Sequence, residues 1–136
     1  MSRYGLMLGE VAPRGASVAL TWAGAIPYFA RRPAVDLLGK SDPVIARSPR
    51  KPIPFTPGHD KWDYDYSLGR LRPALIAQLW TPEPGLRERL GAWGYALVAA
   101  QPMAGGNAAQ LLAGRSIPRA TREELRRRLP GIVSGG

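Results

Sequence analysis

Half of the chain's ten acidic residues lie between Asp36 and Asp65, beside its only histidine. DLLGKSDPVIAR (Asp36 to Arg47) sets Asp36 and Asp42 around Lys40, and PGHDKWDYDYSLGR (Pro57 to Arg70) adds His59, Asp60, Lys61, Trp62, Asp63 and Asp65. Rings interleaved with carboxylates and cationic donors suit a saccharide, whose hydroxyls need hydrogen-bond partners and whose C–H faces stack on aromatic planes. The same residue types can ligate a divalent cation, but their spacing matches no closed metal motif, so no metal is assigned. A histidine among aspartates also suits acid–base work. Yet no Ser, Cys or paired Glu stands at a recognisable nucleophile motif, and no catalytic residue is assigned. Structural duties compete for these side chains. Asp36, within an apolar stretch, is expected to need a basic partner such as Arg31, Arg32 or Lys40, and Asp42, before Pro43, is expected to cap a turn.

The elements that must position these groups follow from apolar runs and their punctuation. SVALTW (Ser17 to Trp22) and PAVDLL (Pro33 to Leu38) read as buried strands, with a turn of helix containing Pro27 between them. Five prolines between Gly39 and Gly58 predict a long loop with one helical turn at DPVIAR. KWDYDYSLGRLR reads as a helix in its later part, stopped by Pro73. ALIAQLW is a third strand, TPEPGLRERLGAWG a short helix and YALVAA a fourth strand. This alternation predicts an α/β fold: a small Rossmann-like, mainly parallel sheet of about four strands flanked by helices. Ligands in such sheets sit at the carboxyl ends of strands, so Trp22 to Gly24 and Leu38 to Asp42 are expected to line one crevice. The chain is read as a single domain over residues 1–136, closing at 101–136 with a Gly-rich loop and a basic helical tail. TREELRRRL carries Thr121 and Glu124 at capping-box spacing.

Composition narrows the function classes. The 136 residues suit one core. Absence of cysteine excludes disulfides, thiol catalysis and cysteine-based zinc sites. No apolar run reaches the roughly 20 residues of a membrane-spanning helix, and the N-terminal MSRYGLMLGEVAPRG lacks the apolar stretch of a signal peptide, so the chain as given is expected to be soluble. Neither MAGGNAAQLLAGR nor GASVALTWAG has the glycine order of a phosphate-binding loop, and no cofactor is expected. A net charge of +9 suits a polyanionic neighbour, either nucleic acid or an anionic membrane surface. Six arginines between Arg115 and Arg128 offer the most concentrated positive charge, although no nucleic-acid module motif accompanies them.

VALTWAGAIPYFARRPAVDLLGKSDPVIAR and PGHDKWDYDYSLGRLRPALIAQLW resemble the soluble extracytoplasmic C-terminal domain of bacterial polyprenyl-phosphate-sugar-dependent membrane glycosyltransferases, the mannosyl- and arabinofuranosyltransferase-like members included. WAGAIPYF, RPAVDLLGKSD and PGHDKWDY carry the resemblance most specifically, and it covers roughly positions 4 to 100. In such enzymes the catalytic aspartate belongs to a loop between membrane helices that this chain does not contain. The resemblance therefore implies an accessory domain, not catalytic by itself, that faces sugar or acceptor. It places Asp36, Lys40, Asp42, His59, Lys61 and Asp63 at the motif positions. With Trp22, Trp62 and Asp65 from the residue reading, these form the expected substrate-binding set. The implied partners are a membrane glycosyltransferase portion and a lipid-linked sugar or glycan, with an anionic membrane surface nearby; nucleic acid is the alternative partner. The implied location is the extracytoplasmic face of the cytoplasmic membrane if the chain is part of a larger membrane protein, and the cytoplasm if it stands alone.

Overall fold

Successive residues of the apolar strands leave the sheet on opposite faces, and both faces are covered. The computed structural model describes residues 1–80, 82–102 and 108–133. Its elements, in chain order, are α1 (Ser2–Val11), β1 (Val18–Leu20), α2 (Ala25–Ala30), β2 (Ala34–Asp36), α3 (Pro43–Arg47), a π-helix (Asp65–Arg70), β3 (Leu75–Ile76), α4 (Leu86–Ala92), β4 (Ala96–Pro102), β5 (Ala108–Ala113) and α5 (Arg119–Val133). Val18, Leu20, Leu75, Leu111 and Ala113 join α1, α2 and α5 in one core layer. Ala19, Ile76 and Leu112 join Leu37, Trp62, Tyr64, Leu68, Leu86 and Leu90 in the other. Leu8, Leu20, Leu68, Ile76 and Leu111 are fully buried, and each such side chain contributes about 2 kcal/mol by leaving water.

The mixed α/β class holds, with a correction to the sheet. It has five strands in the order β2-β1-β3-β5-β4. β1 pairs in parallel with β2 and β3, whereas β5 pairs antiparallel with both β3 and β4. The four expected strands thus run in one direction, but β4 does not reach β3, because β5 is inserted between them. The AAQLLA run of β5 sits in a stretch read as a Gly-rich loop. Residues 103–107, which include Gly105 and Gly106, lie outside the described residues.

Two helices also differ from expectation. The expected elements begin only at SVALTW, yet Tyr4, Met7 and Leu8 recur at helical spacing and form the buried side of α1. Its close approach to α2 depends on Gly5: a Cβ there would stand 2.7 Å from the Ile26 carbonyl oxygen. The tail helix begins at Arg119, before Thr121. Thr121 therefore lies inside the first turn and is no cap, and the Glu124 carboxylate instead accepts from Arg127 and Arg128.

Candidate functional site

Because β1, β2 and β3 are parallel, the segments leaving their carboxyl ends meet at one edge of the sheet. The chain turns from β1 towards β2 on one side and later returns to β3 on the other, so loops diverge there and leave a crevice. An open cleft of about 440 Å³ lies at this edge, lined by Trp22, Ala23 and Gly24 after β1 and by Lys40 and Ser41 after β2. Trp22 is 51 % exposed. Its backbone N–H donates to Gln78 Oε1 at 3.1 Å, which ties the β1 rim to the segment after β3. The Lys40 ammonium has no hydrogen-bond or ion-pair partner among the described residues. Its stem lies against Gly58, where a Cβ would come within 3.3 Å of Lys40 Cε.

Asp36 is 4 % exposed and braces the floor of this edge. Its Oδ1 accepts from Leu38 N at 3.0 Å, and its Oδ2 accepts from Ser41 N at 2.7 Å and Ser41 Oγ at 2.9 Å. The expected basic partner is thus corrected: backbone amides and a hydroxyl satisfy the carboxylate, which stabilises a buried charge as effectively as an ion pair when geometry is good. Arg32 is engaged elsewhere. Its guanidinium donates to the carbonyls of Gly9, Ala12 and Pro13 at 2.8–3.1 Å, where the C-terminus of α1 favours a cation. The Asp36 loop closes on itself because Gly39 adopts φ +70°, a conformation that costs other residues energy.

The remaining acidic residues are braces as well. Asp42 caps α3, accepting from Val44 N at 2.8 Å and Ile45 N at 3.2 Å, and its other oxygen accepts from the Tyr66 hydroxyl at 3.3 Å. Burial, with the neighbouring Asp42 charge and hydrogen bond, pushes the Tyr66 phenol up. Asp63 accepts from Tyr66 N at 3.0 Å at the start of the π-helix, Asp60 pairs with Arg50, and Asp65 pairs with Arg89 at 2.8 Å. Lys61 Nζ donates to Ala46 O at 2.6 Å and closes the end of α3. Trp62 is buried and donates from Nε1 to Glu83 at 2.6 Å. Burial raises the Glu83 carboxyl, but hydrogen bonds from Arg89 and Trp62 and the charges of Lys51 and Arg89 outweigh this and hold it below its ordinary value. His59 approaches Pro57 O at 2.8 Å through Nδ1, a contact that needs the proton on that nitrogen, and its ring lies 4.8 Å from the Trp80 ring.

Of the nine expected site residues, then, Trp22 and Lys40 line the cleft, Asp36 holds its Ser41 rim, and Asp42, His59, Lys61, Trp62, Asp63 and Asp65 secure the surrounding loops. Among the described residues no three His, Asp or Glu side chains gather into a group able to hold a metal ion. Gln78 is the residue that sequence reasoning passed over. Its signal is a lone amide just after an apolar strand, at the carboxyl edge of the parallel strands.

No helix among the described residues is long and apolar enough to cross a membrane. The family model described as Domain of unknown function (DUF8728) matches residues 1–115. No curated protein and no solved structure matches the chain.

Proposed function

The chain belongs to that family, and we propose that it is a non-catalytic binding domain of a membrane glycosyltransferase system, contacting the saccharide of a glycan or lipid-linked sugar in the cleft between β1 and β2. The observation that carries this reading is the pairing, across an open cleft, of an exposed indole with an ammonium that has no partner among the described residues. An indole face stacks on the C–H face of a sugar, and a lysine head binds hydroxyls or a sugar-linked phosphate. The Ser41 rim adds a hydroxyl whose backbone is fixed by Asp36. Engagement of the five carboxylates from Asp36 to Asp65 by protein donors favours binding over acid–base chemistry. The resemblance of WAGAIPYF, RPAVDLLGKSD and PGHDKWDY to the glycosyltransferase domain supports the same class of ligand.

Calorimetric titration of the full chain with a panel of free oligosaccharides and sugar 1-phosphates tests the proposal. Trp22→Ala is expected to weaken binding by about tenfold, while Lys40→Ala removes the preference for phosphorylated sugars and leaves neutral ones bound. Absence of any titration, or equal affinity of the Trp22→Ala protein, rejects the cleft as a saccharide site.

A further inference from the structure

The proline-rich loop after α3 has a shape and chemistry that the cleft does not use. Lys51 N donates to Asp60 O at 2.7 Å and Arg50 pairs with the Asp60 carboxylate, so the loop is closed at its base. Its tip, PIPFTP, exposes Phe55 to 67 % and Ile53 to 37 %. Two large apolar side chains held in water on a braced loop are unfavourable unless something covers them. Pro52, Pro54 and Pro57 carry no N–H, and Ile53 N already donates to Lys51 O at 2.8 Å. Little backbone donor capacity therefore has to be desolvated if the tip leaves water. The segment from Arg47 to Lys61 holds four cations and one carboxylate, Asp60, which pairs with Arg50, while Glu83 lies 3.8 Å from Lys51, so the surroundings of the loop stay net positive. The Arg50 guanidinium also lies 4.6 Å from the Phe55 ring centroid.

We infer that this loop is an interfacial anchor: Ile53 and Phe55 enter the headgroup–acyl boundary of an anionic bilayer while Arg47, Arg50, Lys51 and Lys61 remain among the lipid phosphates. A donor-poor, apolar tip inside a basic collar matches a surface that supplies acyl chains beneath fixed negative charge. Contact between the Lys40 stem and Gly58 sets the loop beside the cleft, so anchoring would bring the cleft to the membrane surface. The inference stands whether or not the cleft binds a saccharide.

The chain has no cysteine, so one introduced thiol reports from one place. The full chain carrying Ile53→Cys, labelled with an environment-sensitive fluorophore, is mixed with vesicles of phosphatidylcholine alone or of an equimolar mixture with phosphatidylglycerol. A label at Ser116→Cys, which follows β5 at the opposite edge of the sheet, serves as the control. The expected result is a blue shift at position 53 with anionic vesicles only, reversed by salt, and no shift at 116. In co-flotation the Ile53→Ser/Phe55→Ser protein, with an unchanged melting temperature, is expected to bind about tenfold more weakly. Equal shifts with neutral vesicles, no shift at 53, or unaltered flotation of the double variant would overturn the inference. So would a concentration-dependent shift without lipid, which assigns the tip to a protein surface. Trp22→Ala leaves flotation intact and the loop variant leaves sugar titration intact, so failure of one proposal is distinct from failure of the other.

Discussion

Asp36 shows how a residue of catalytic type becomes a brace. Its carboxylate satisfies two backbone amides and one hydroxyl on the loop that carries Lys40 and Ser41. Removing it leaves buried donors without acceptors, and that desolvation penalty exceeds the net value of the bonds themselves. Asp36→Ala is expected to cost about 3 kcal/mol, read as a melting temperature lower by about 10 °C. An unchanged melting temperature combined with lost sugar binding would instead make Asp36 a ligand contact. The conservative Asp36→Asn keeps one acceptor and loses less. Nothing in the types or spacing of DLLGKSD distinguishes these roles, because the donors are brought to the carboxylate only when Gly39 turns the chain at positive φ.

Among the elements, the α1–α2 pair depends most sharply on a single atom's absence. Gly5 and Gly9 face α2 so closely that added Cβ atoms would stand 2.7 Å and 2.8 Å from the carbonyl oxygens of Ile26 and Ala30. Backbone cannot step aside as a flexible side chain can. Gly5→Ala is expected to destabilise by about 2 kcal/mol through overpacking, whereas Gly91→Ala, in α4 with no atom within 4 Å of its added Cβ, stabilises by about 0.5–1 kcal/mol through helix propensity. Urea unfolding of both variants checks the contrast, and a Gly5→Ala protein as stable as the parent would disprove the close contact. The π-helix is a second element with a local constraint. Its Leu71 N donates to Tyr66 O at 3.0 Å, and a Cβ on Gly69 would stand 2.9 Å from the Trp93 ring.

At the scale of the molecule, the charge of +9 is less available than its total suggests. Five of the six arginines from Arg115 to Arg128 have internal partners: Arg119, Arg127 and Arg128 pair with glutamates, while Arg122 and Arg126 donate to backbone carbonyls. These ties, with the Glu83 network that joins the proline-rich loop, Trp62 and α4, give stability a definite acid dependence. Glu83 lies below its ordinary value of 4.5, and hydrogen bonds from Arg127 and Arg128 hold Glu124 down to about 2. A carboxyl that is more acidic when folded stabilises the fold above its unfolded pKa and ceases to do so as pH falls through the folded one. Urea midpoints are therefore expected to be level above pH 4.5 and to fall below it, less steeply in Glu83→Gln. A Glu83→Gln acid limb as steep as the parent's would remove Glu83 from the account.

The order of strands and helices from β1 to β4 was legible because apolar runs punctuated by Pro and Gly report local structure directly. The two cleft rims were legible too, since polar and small residues following parallel strands must emerge at their carboxyl edge. α1 was present as a helical period in Tyr4, Met7 and Leu8 and needed only to be read as such. Insertion of β5 between β3 and β4 was not legible: strand pairing is decided by which edge offers free backbone groups once the layers have packed. The same holds for the acidic residues. Sequence by itself determined that carboxylates, rings and cations would gather between Asp36 and Asp65, but only the tertiary structure decided which face a cleft and which face the backbone, because a buried carboxylate is held by whichever donors the folded loops deliver to it.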